Sequence, residues 1–397
     1  MEPKRTSPAS PMVDSKRRSS TSFNGQVGKG VVDLPLEIIS DILTRLPIES
    51  ILACKLVCKN WYDLTRDPAF VHLQLSRSPT RFVIDPALSR VANDFYLLLL
   101  DAEEPKVKRF PIERKVLKGA RIVCSCNGLL LITPDLKLNP VVIYNPITRQ
   151  RMILPSLLDC KGKLRSHQAG LGFDLSTGRY KVVQEYRKIR SESNRFVILS
   201  LGENSWRELS APPGLLDWDW DGWESLFWNG ALYWKMVKTD LQGNCNIGIL
   251  GFDLSDEKFQ IISFPKNFTS PGPAFDLLDL DGRLTLVEHE YDTNMMKLWR
   301  LVGNKIGDFS FCLQQTFDTH VRWNDDLFCE VISGLNQNGY LLYVVFKNDE
   351  SKRSHVTKFF PQMAQYKQLD LPLIPDWFWI CRFKPSLICP VAASLLS

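Results

Sequence analysis

Strand-length apolar runs joined by short polar turns recur from Phe95 to the end of this 397-residue chain, and they restrict its fold more than any other feature. Strand–turn–strand units begin at Phe95, Val141, Phe196, Gly248, Met296 and Val356, a spacing of about 50 residues. Further hairpins lie between them: "RIVCSCNGLLLI", "LGFDLSTGRYKVV", "SLFWNGALYWKM", "LLDLDGRLTLVEH", "EVISGLNQNGYLLYVVF" and a final "WFWICRFKPSLIC". Asn-Gly, Asp-Gly and Thr-Gly pairs occupy the turns, where the backbone needs positive φ. A lone hairpin leaves its apolar face and its edges uncovered, so this period predicts radially stacked sheets. The expectation is a six-bladed, propeller-like all-β domain over 76–397. Pairing of the C-terminal hairpin, Phe378 to Ile388, with the hairpin at Tyr96 to Leu100 would close it. Eleven Trp among the residues suit such an architecture.

Upstream the period is helical. From Asp33 to Leu46 the apolar residues Leu34, Ile38, Ile39, Ile42, Leu43 and Leu46 form one stripe, with Asp33 able to cap and Pro35 in the first turn. Pro47 ends that helix. A second helix is predicted from about Ile48 to Leu64, with Ile51, Leu52, Cys54, Leu56, Val57, Cys58, Trp61 and Leu64 spread around its circumference. Two short helices cannot cover so much apolar surface, and below about 40 residues a segment normally needs outside support to hold a fold. The pattern predicts an adhesive helical hairpin that another helical protein covers, while Val57, Trp61, Leu64 and Phe70 turn toward the following domain.

The run "LPLEIISDILTRLPIESILACKLVCKNWYDLTRDPAFVHLQL" resembles an F-box, with its Leu-Pro start, Ile-Leu-x-Arg-Leu-Pro turn, Lys59 and Trp61 after Val57-Cys58, and trailing Asp-Pro-x-Phe. Where family members often carry Leu-Leu-Arg, this chain has Ile51-Leu52-Ala53. The resemblance implies docking on a Skp-type adaptor that leads to a cullin, a RING subunit and a ubiquitin-conjugating enzyme. It places adaptor contacts on Leu34, Pro35, Ile38, Ile39, Ile42, Leu43, Leu46, Pro47, Ile51, Leu52, Val57, Cys58 and Trp61. The elements "SCNGLLLI", "YNPITRQ", "GFDLSTGRYKVV" and "LFWNGALYW" resemble the plant F-box-associated interaction domain, which is kelch-like, although the paired Gly-Gly signature of kelch blades is absent. Together these resemblances imply an α+β multidomain chain: a basic tail at 1–30, a helical F-box at 31–75 and an all-β substrate-binding domain at 76–397. They imply the substrate-recognition subunit of a Skp-cullin-F-box ubiquitin ligase, with no catalysis and no cofactor of its own.

Charge narrows the partners. The formal net charge of +5 is concentrated in the first 30 residues, where Lys4, Arg5, Lys16, Arg17, Arg18 and Lys29 oppose only Glu2 and Asp14. The rest is nearly neutral, a poor match for a nucleic acid backbone. That tail is Ser- and Pro-rich and too polar to bury a core, so it is expected to be disordered. The ten cysteines contain no Cys-x-x-Cys pair and the five histidines never fall at ligand spacing, so no metal site is predicted. Reduced, mostly buried thiols, no signal-peptide core and no membrane-length apolar run point to the nucleus and/or cytoplasm.

Three segments pair indoles with acids: Asp217 to Trp223, Arg322 to Asp326 and Ile374 to Trp379. Each precedes an inner hairpin. Trp218, Trp220, Trp223, Trp323 and Trp377 are therefore the candidate target-binding residues, with carboxylates that favour a basic partner. Exposed tryptophans beside aspartates also suit sugar rings, so a carbohydrate-binding lectin-like protein is the alternative. No Gly-x-Ser-x-Gly, His-Glu-x-x-His or phosphate loop is present. Glu288 and Glu290 flank His289 on a strand, where they read as solvated residues, with the histidine on the opposite face.

Overall fold

The computed structural model describes residues 34–85, 94–99, 106–111, 120–134, 141–157, 164–165, 168–188, 194–210, 219–220, 225–239, 245–269, 275–290, 293–303, 309–319, 327–335, 339–346, 354–363, 365–369, 371 and 378–393. Four short helices come first: α1 (Leu36–Thr44), α2 (Ile48–Cys54), α3 (Lys59–Leu64) and α4 (Pro68–Arg77). Pro35 is the residue before α1 rather than part of its first turn, and its carbonyl accepts from Ile38 and Ile39. Pro47 plays the same part for α2, accepting from Ser50 and Ile51, so one proline both stops a helix and starts the next.

The second predicted helix is two helices. Between them Leu56 and Val57 lie in a turn and Cys58 is extended. A continuous helix would hold Ile51 and Leu64 about 20 Å apart along its axis. The break instead lets both join Leu43, Ile48 and Phe70 in one core. Asp67 caps α4 by accepting from the Phe70 amide at 3.1 Å, and Pro68 occupies the first turn, so the Asp-Pro-x-Phe run is a helix start whose fourth residue is buried.

Six sheets follow. The second is β4 (Ala120–Cys126), β5 (Leu129–Pro134), β6 (Val142–Asn145) and β7 (Gln150–Ile153), in that order. The third runs β9 (Ala169–Asp174), β10 (Arg179–Lys188), β11 (Asn194–Ser200) and β12 (Arg207–Leu209), with the two-residue β8 (Leu164–Arg165) added on β10. The fourth runs β14 (Leu226–Trp228), β15 (Ala231–Thr239), β16 (Cys245–Asp253) and β17 (Lys258–Ile262), with β13 (Asp219–Trp220) also on β15. The fifth comprises β18 (Phe275–Leu280), β19 (Arg283–Glu290), β20 (Met295–Val302) and β21 (Ser310–Asp318). The sixth comprises β22 (Leu327–Leu335), β23 (Gly339–Phe346), β24 (Ser354–Phe360) and β25 (Gln365–Gln368). All pairings are antiparallel.

The remaining sheet joins the ends of the domain. Its order is β26 (Trp379–Phe383), β1 (Arg81–Asp85), β2 (Asp94–Leu99), β3 (Lys106–Pro111), with Val83 opposite both Cys381 and Leu97. The pairing of the C-terminal segment therefore differs from the sequence expectation in two ways. The C-terminal partner is a single strand, because Pro385 removes a ladder donor and residues 384–389 leave the sheet. It pairs with β1, a five-residue strand that is buried throughout and was not predicted, rather than directly with β2.

Turn chemistry holds the hairpins. Asn127-Gly128, Asn229-Gly230 and Asp281-Gly282 all have positive φ at both residues, as a two-residue hairpin turn requires. Apolar cores lie between successive sheets. Val83 and Phe383 meet Leu130, Ile132 and Val142; Val183, Phe196 and Ile198 meet Trp234, Met236 and Phe252. The edge strands β4 and β9 touch each other, as do β14 and β18, β18 and β22, and β26 and β4. Polar ties cross the same seams. Lys181 Nζ reaches the Leu254 carbonyl at 2.7 Å, Asp174 at 2.9 Å and Glu257 at 3.0 Å, and Ser255 donates to Asp174 at 2.7 Å. Cys54, Cys58, Cys124, Cys126, Cys312, Cys381 and Cys389 are free thiols, of which Cys58 and Cys312 are exposed rather than buried.

Candidate functional site

The helical motif has two unlike sides. Leu34, Leu36, Ile38, Ile42 and Leu46 are exposed along α1 and its flanks, and in the turn after α2 Leu56 is 89% and Val57 63% exposed. Pro35, Pro47 and Cys58 are exposed with them. Of the predicted adaptor residues, Ile39, Leu52 and Trp61 are half-buried. Leu43 and Ile51 are the corrections, at 2% and 0% exposure: they form the motif's own core, because the stripe predicted for α1 is wider than one face. Leu36 and Leu56 join the exposed set and were missed; the i, i+4 stripe passes over Leu36, and a continuous second helix hid the turn that turns Leu56 outward. Val57, expected to face the β domain, is exposed.

The reverse side is held by the chain's far end. Leu387 packs among Leu43, Ile48, Ile51, Leu64 and Phe70, and Gln74 Nε2 donates to the Pro385 carbonyl at 3.2 Å. Asn145, the asparagine of "YNPITRQ", is wholly buried and holds this segment in place. Its Nδ2 donates to the carbonyls of Ser386 at 3.0 Å and Ile388 at 2.7 Å, while its Oδ1 accepts from the amides of Ile147 and Thr148. Ser386 Oγ in turn donates to the Asn127 carbonyl at 2.7 Å. Gly128 is the close approach here: a Cβ on it would collide with Ser386 Oγ and lie 2.7 Å from the Lys384 carbonyl.

Ion pairs stiffen the motif. Arg77 on α4 bonds Asp41 on α1 at 2.6 Å and also reaches Thr44, while Arg45 adds a second bond to Asp41. Bonds from Arg45 and Arg77 outweigh the opposing effect of burial and hold the Asp41 carboxyl below its ordinary range. Arg81 of β1 meets Glu49 of α2 at 3.4 Å, a further link across the junction.

The predicted target-binding tryptophans fall largely outside the described residues: Trp218, Trp223, Trp323 and Trp377 are among those not described, and for Trp220 only the β13 backbone is. Near the inner strands a cavity of about 110 Å³ is lined by Ser225, Tyr233, Lys235, Asp276, Cys381 and Arg382 among others. His289 Nε2 lies 2.8 Å from Asp276 Oδ2, and Lys235 Nζ lies 3.4 Å from Asp276 Oδ1. Burial would push the Asp276 carboxyl up, but Lys235 and His289 outweigh it and hold it down. The solvated reading is therefore overturned for Glu288 and His289, while Glu290 stays partly exposed. His289 is buried on Asp276, and Glu288 is buried on the other face, accepting from the Thr269 amide at 2.6 Å and from Trp299 Nε1 at 2.8 Å. Interior sheet seams need their polar groups paired, and these carboxylates do that work. Among the described residues no group of His, Cys, Asp and Glu is arranged to hold a metal ion.

Comparison with known proteins agrees with this division. The F-box domain matches residues 32–73 and the F-box associated beta propeller domain matches residues 90–379. F-box protein At3g07870 of Arabidopsis thaliana is 25% identical over 413 residues, covering 91% of this chain and 94% of its own length. The putative F-box protein At3g16210 of the same plant is 27% identical over 239 residues, which span 58% of this chain and only 61% of that relative. Among solved structures, an oligogalacturonate lyase in complex with manganese aligns over 69% of this chain and 70% of its own at 9% identity, with a TM-score of 0.39. A likeness that weak carries no argument about fold or chemistry.

Proposed function

The chain belongs to the F-box proteins that carry an F-box associated beta propeller domain, and from that premise we propose that it is the substrate-recognition subunit of a Skp-cullin-F-box ubiquitin ligase. In this reading the six sheets are six blades, closed by β26 on β1, and the protein performs no catalysis itself. The observation that carries it is the two-sidedness of the F-box. One side is anchored on Leu387 and the β domain, and the other keeps Leu34, Leu36, Ile38, Ile42, Leu46, Leu56 and Val57 in water. Half-exposed aliphatic side chains gain roughly 1 kcal/mol each when a partner covers them. A Skp-type adaptor, itself leading to cullin and RING subunits, is the partner this face fits.

Purified full-length chain mixed with a Skp-type adaptor tests this. Ile38→Glu with Ile42→Glu should weaken binding at least about a hundredfold, since two coverings are lost and two charges must be desolvated. Binding that survives this pair at wild-type strength rejects the assignment.

We read the target surface from chain order. Residues 211–225, which include the two-residue β13, and residues 320–326 and 370–378 join one sheet to the next along the chain, and they carry Trp218, Trp220, Trp223, Trp323 and Trp377. We assign these tryptophans to target capture, with the neighbouring aspartates selecting a basic partner. Trp218→Ala with Trp220→Ala should abolish recovery of co-purifying targets while adaptor binding persists; unchanged recovery would sink the assignment. Localisation is placed in the nucleus and/or cytoplasm, where a fluorescent fusion should be found.

A further inference from the structure

The seam between the F-box and the β domain encloses a cavity of about 520 Å³, within the range of sites that take small organic ligands. Its walls come from α2, α3 and α4, from the turn between β6 and β7, and from the segment after β26. The apolar part is Leu52, Val71, Ile147, Phe173, Leu387 and Ile388. The charged part is entirely cationic: Lys55, Arg66 and Arg149 line it, and no aspartate or glutamate does.

Three observations mark this wall as one an anion would complete, although Arg66 and Arg149 also reach solvent. Among the described residues Lys55 and Arg149 make no ion pair, and Arg66 bonds the neutral Tyr62 hydroxyl at 2.7 Å. Burial, and then the like charge of Arg66, push the Lys55 ammonium below its ordinary range, a cost that a bound anion would relieve. Two hydroxyls on the same wall, Thr148 Oγ1 and Tyr180 Oη, are buried without a hydrogen bond of normal geometry. Tyr180 is 4% exposed; Asn127 stands near its hydroxyl without forming such a bond. Unsatisfied buried donors beside unpaired cations describe a site shaped for an acceptor with negative charge. The chain's own tail is a poor occupant, because residues 1–30 carry the same sign of charge.

We propose that this cavity binds a small anionic ligand, with one or two carboxylate, sulfonate or phosphate groups carried on a flat apolar body. The apolar floor takes the body, and Lys55 and Arg149, with the Thr148 hydroxyl, take the anion. Because both domains supply walls, the ligand would also stabilise their junction. The inference does not depend on the identity of the degradation target or of the adaptor.

The test uses two probes that differ by one sulfonate group: 8-anilinonaphthalene-1-sulfonate and the neutral N-phenyl-1-naphthylamine, each titrated into the full-length chain. The sulfonate should bind roughly tenfold more tightly at low salt. Lys55→Gln combined with Arg149→Gln should bring the two probes within about twofold of each other, and Ala392→Phe, which fills the cavity, should block both. Each single glutamine variant, should the pair not fold, should lose about threefold for the sulfonate alone. Equal binding of the two probes, or sulfonate binding untouched by these variants and lost instead with Ile38→Glu, would overturn the proposal and place the probe on the exposed F-box face.

Discussion

Asn145→Ala removes a side chain that four backbone groups use at once. The two carbonyls it serves, those of Ser386 and Ile388, lie in a segment with no sheet neighbour to replace it, and the Ile147 and Thr148 amides lose their acceptor. Each buried backbone group left unpaired costs about 1–3 kcal/mol, and partial relaxation of the 384–389 segment should bring the total to roughly 3–5 kcal/mol. Asn145→Asp separates the two halves of the role. It keeps an oxygen for the two amides but turns a second oxygen toward two carbonyls, so its folded pKa must rise above the unfolded carboxylate value of about 4. A raised folded pKa gives stability that is complete below the unfolded value and is lost as pH rises through the folded one. The aspartate variant should therefore lie nearest the wild type at about pH 4 and fall furthest behind at pH 8, whereas the alanine variant should trail by a constant amount. Urea unfolding of the full-length protein followed by tryptophan fluorescence, at both pH values, reads this directly. A loss under about 1 kcal/mol for Asn145→Ala, or an aspartate variant whose deficit is independent of pH, would refute the reasoning.

Leu387→Ala should cost about 3 kcal/mol, because it empties the centre of the F-box core, and should speed hydrogen exchange in α3 and α4; unchanged exchange there would mean that the F-box does not need this anchor. Asp174 gives a second pH signature. Burial would raise its pKa, but bonds from Lys181, Ser176, Ser255 and Thr177 overcome this and hold it far below the usual carboxylate range. Such a depressed group contributes stability above its unfolded pKa of about 4 and loses it as pH falls toward the folded value. Asp174→Asn should therefore destabilise by about 3 kcal/mol at pH 7, with Glu257 still partly compensating Lys181, and should flatten the decline between pH 4 and pH 2; a melting curve with the wild-type acid slope would contradict the assignment.

The hairpin pattern was legible because each hairpin carries its own evidence. Asn127-Gly128 or Asn229-Gly230 can hardly be anything but a tight turn, and the flanking runs are too short for helices. Residues whose role depends on distant chain were not legible. Arg81–Asp85 sits as a strand between Asp94–Leu99 and Trp379–Phe383, and nothing in the five residues announces the second, distant neighbour. The amphipathic stripe of α1 identified the right helix but could not say which of Leu43 and Ile42 faces inward, since that depends on where Ile51, Phe70 and Leu387 stand. The cationic seam was invisible for the same reason: Lys55, Arg66 and Arg149 are scattered in sequence and meet only after folding.

The proposed role as a substrate receptor requires the target to be held at a defined place relative to the rest of the ligase, and a flexible tether between the F-box and the β domain would spread that position over many ångströms. Here the F-box is attached at both ends of the β domain at once. Its last helix α4 leads within a few residues into β1, and β26, hydrogen-bonded to β1, delivers Pro385 to Gln74 and Leu387 to the F-box core. Tilting the F-box would therefore have to break the Gln74 and Asn145 bonds and expose Leu387 and Phe70 together, at several kcal/mol. The strand that completes the first sheet and the segment that anchors the F-box are consecutive in the chain, so formation of that sheet and orientation of the exposed F-box face are one structural event. A change that frees residues 384–389 should weaken both, and a ligand seated against Ile388 and Leu387 should strengthen both.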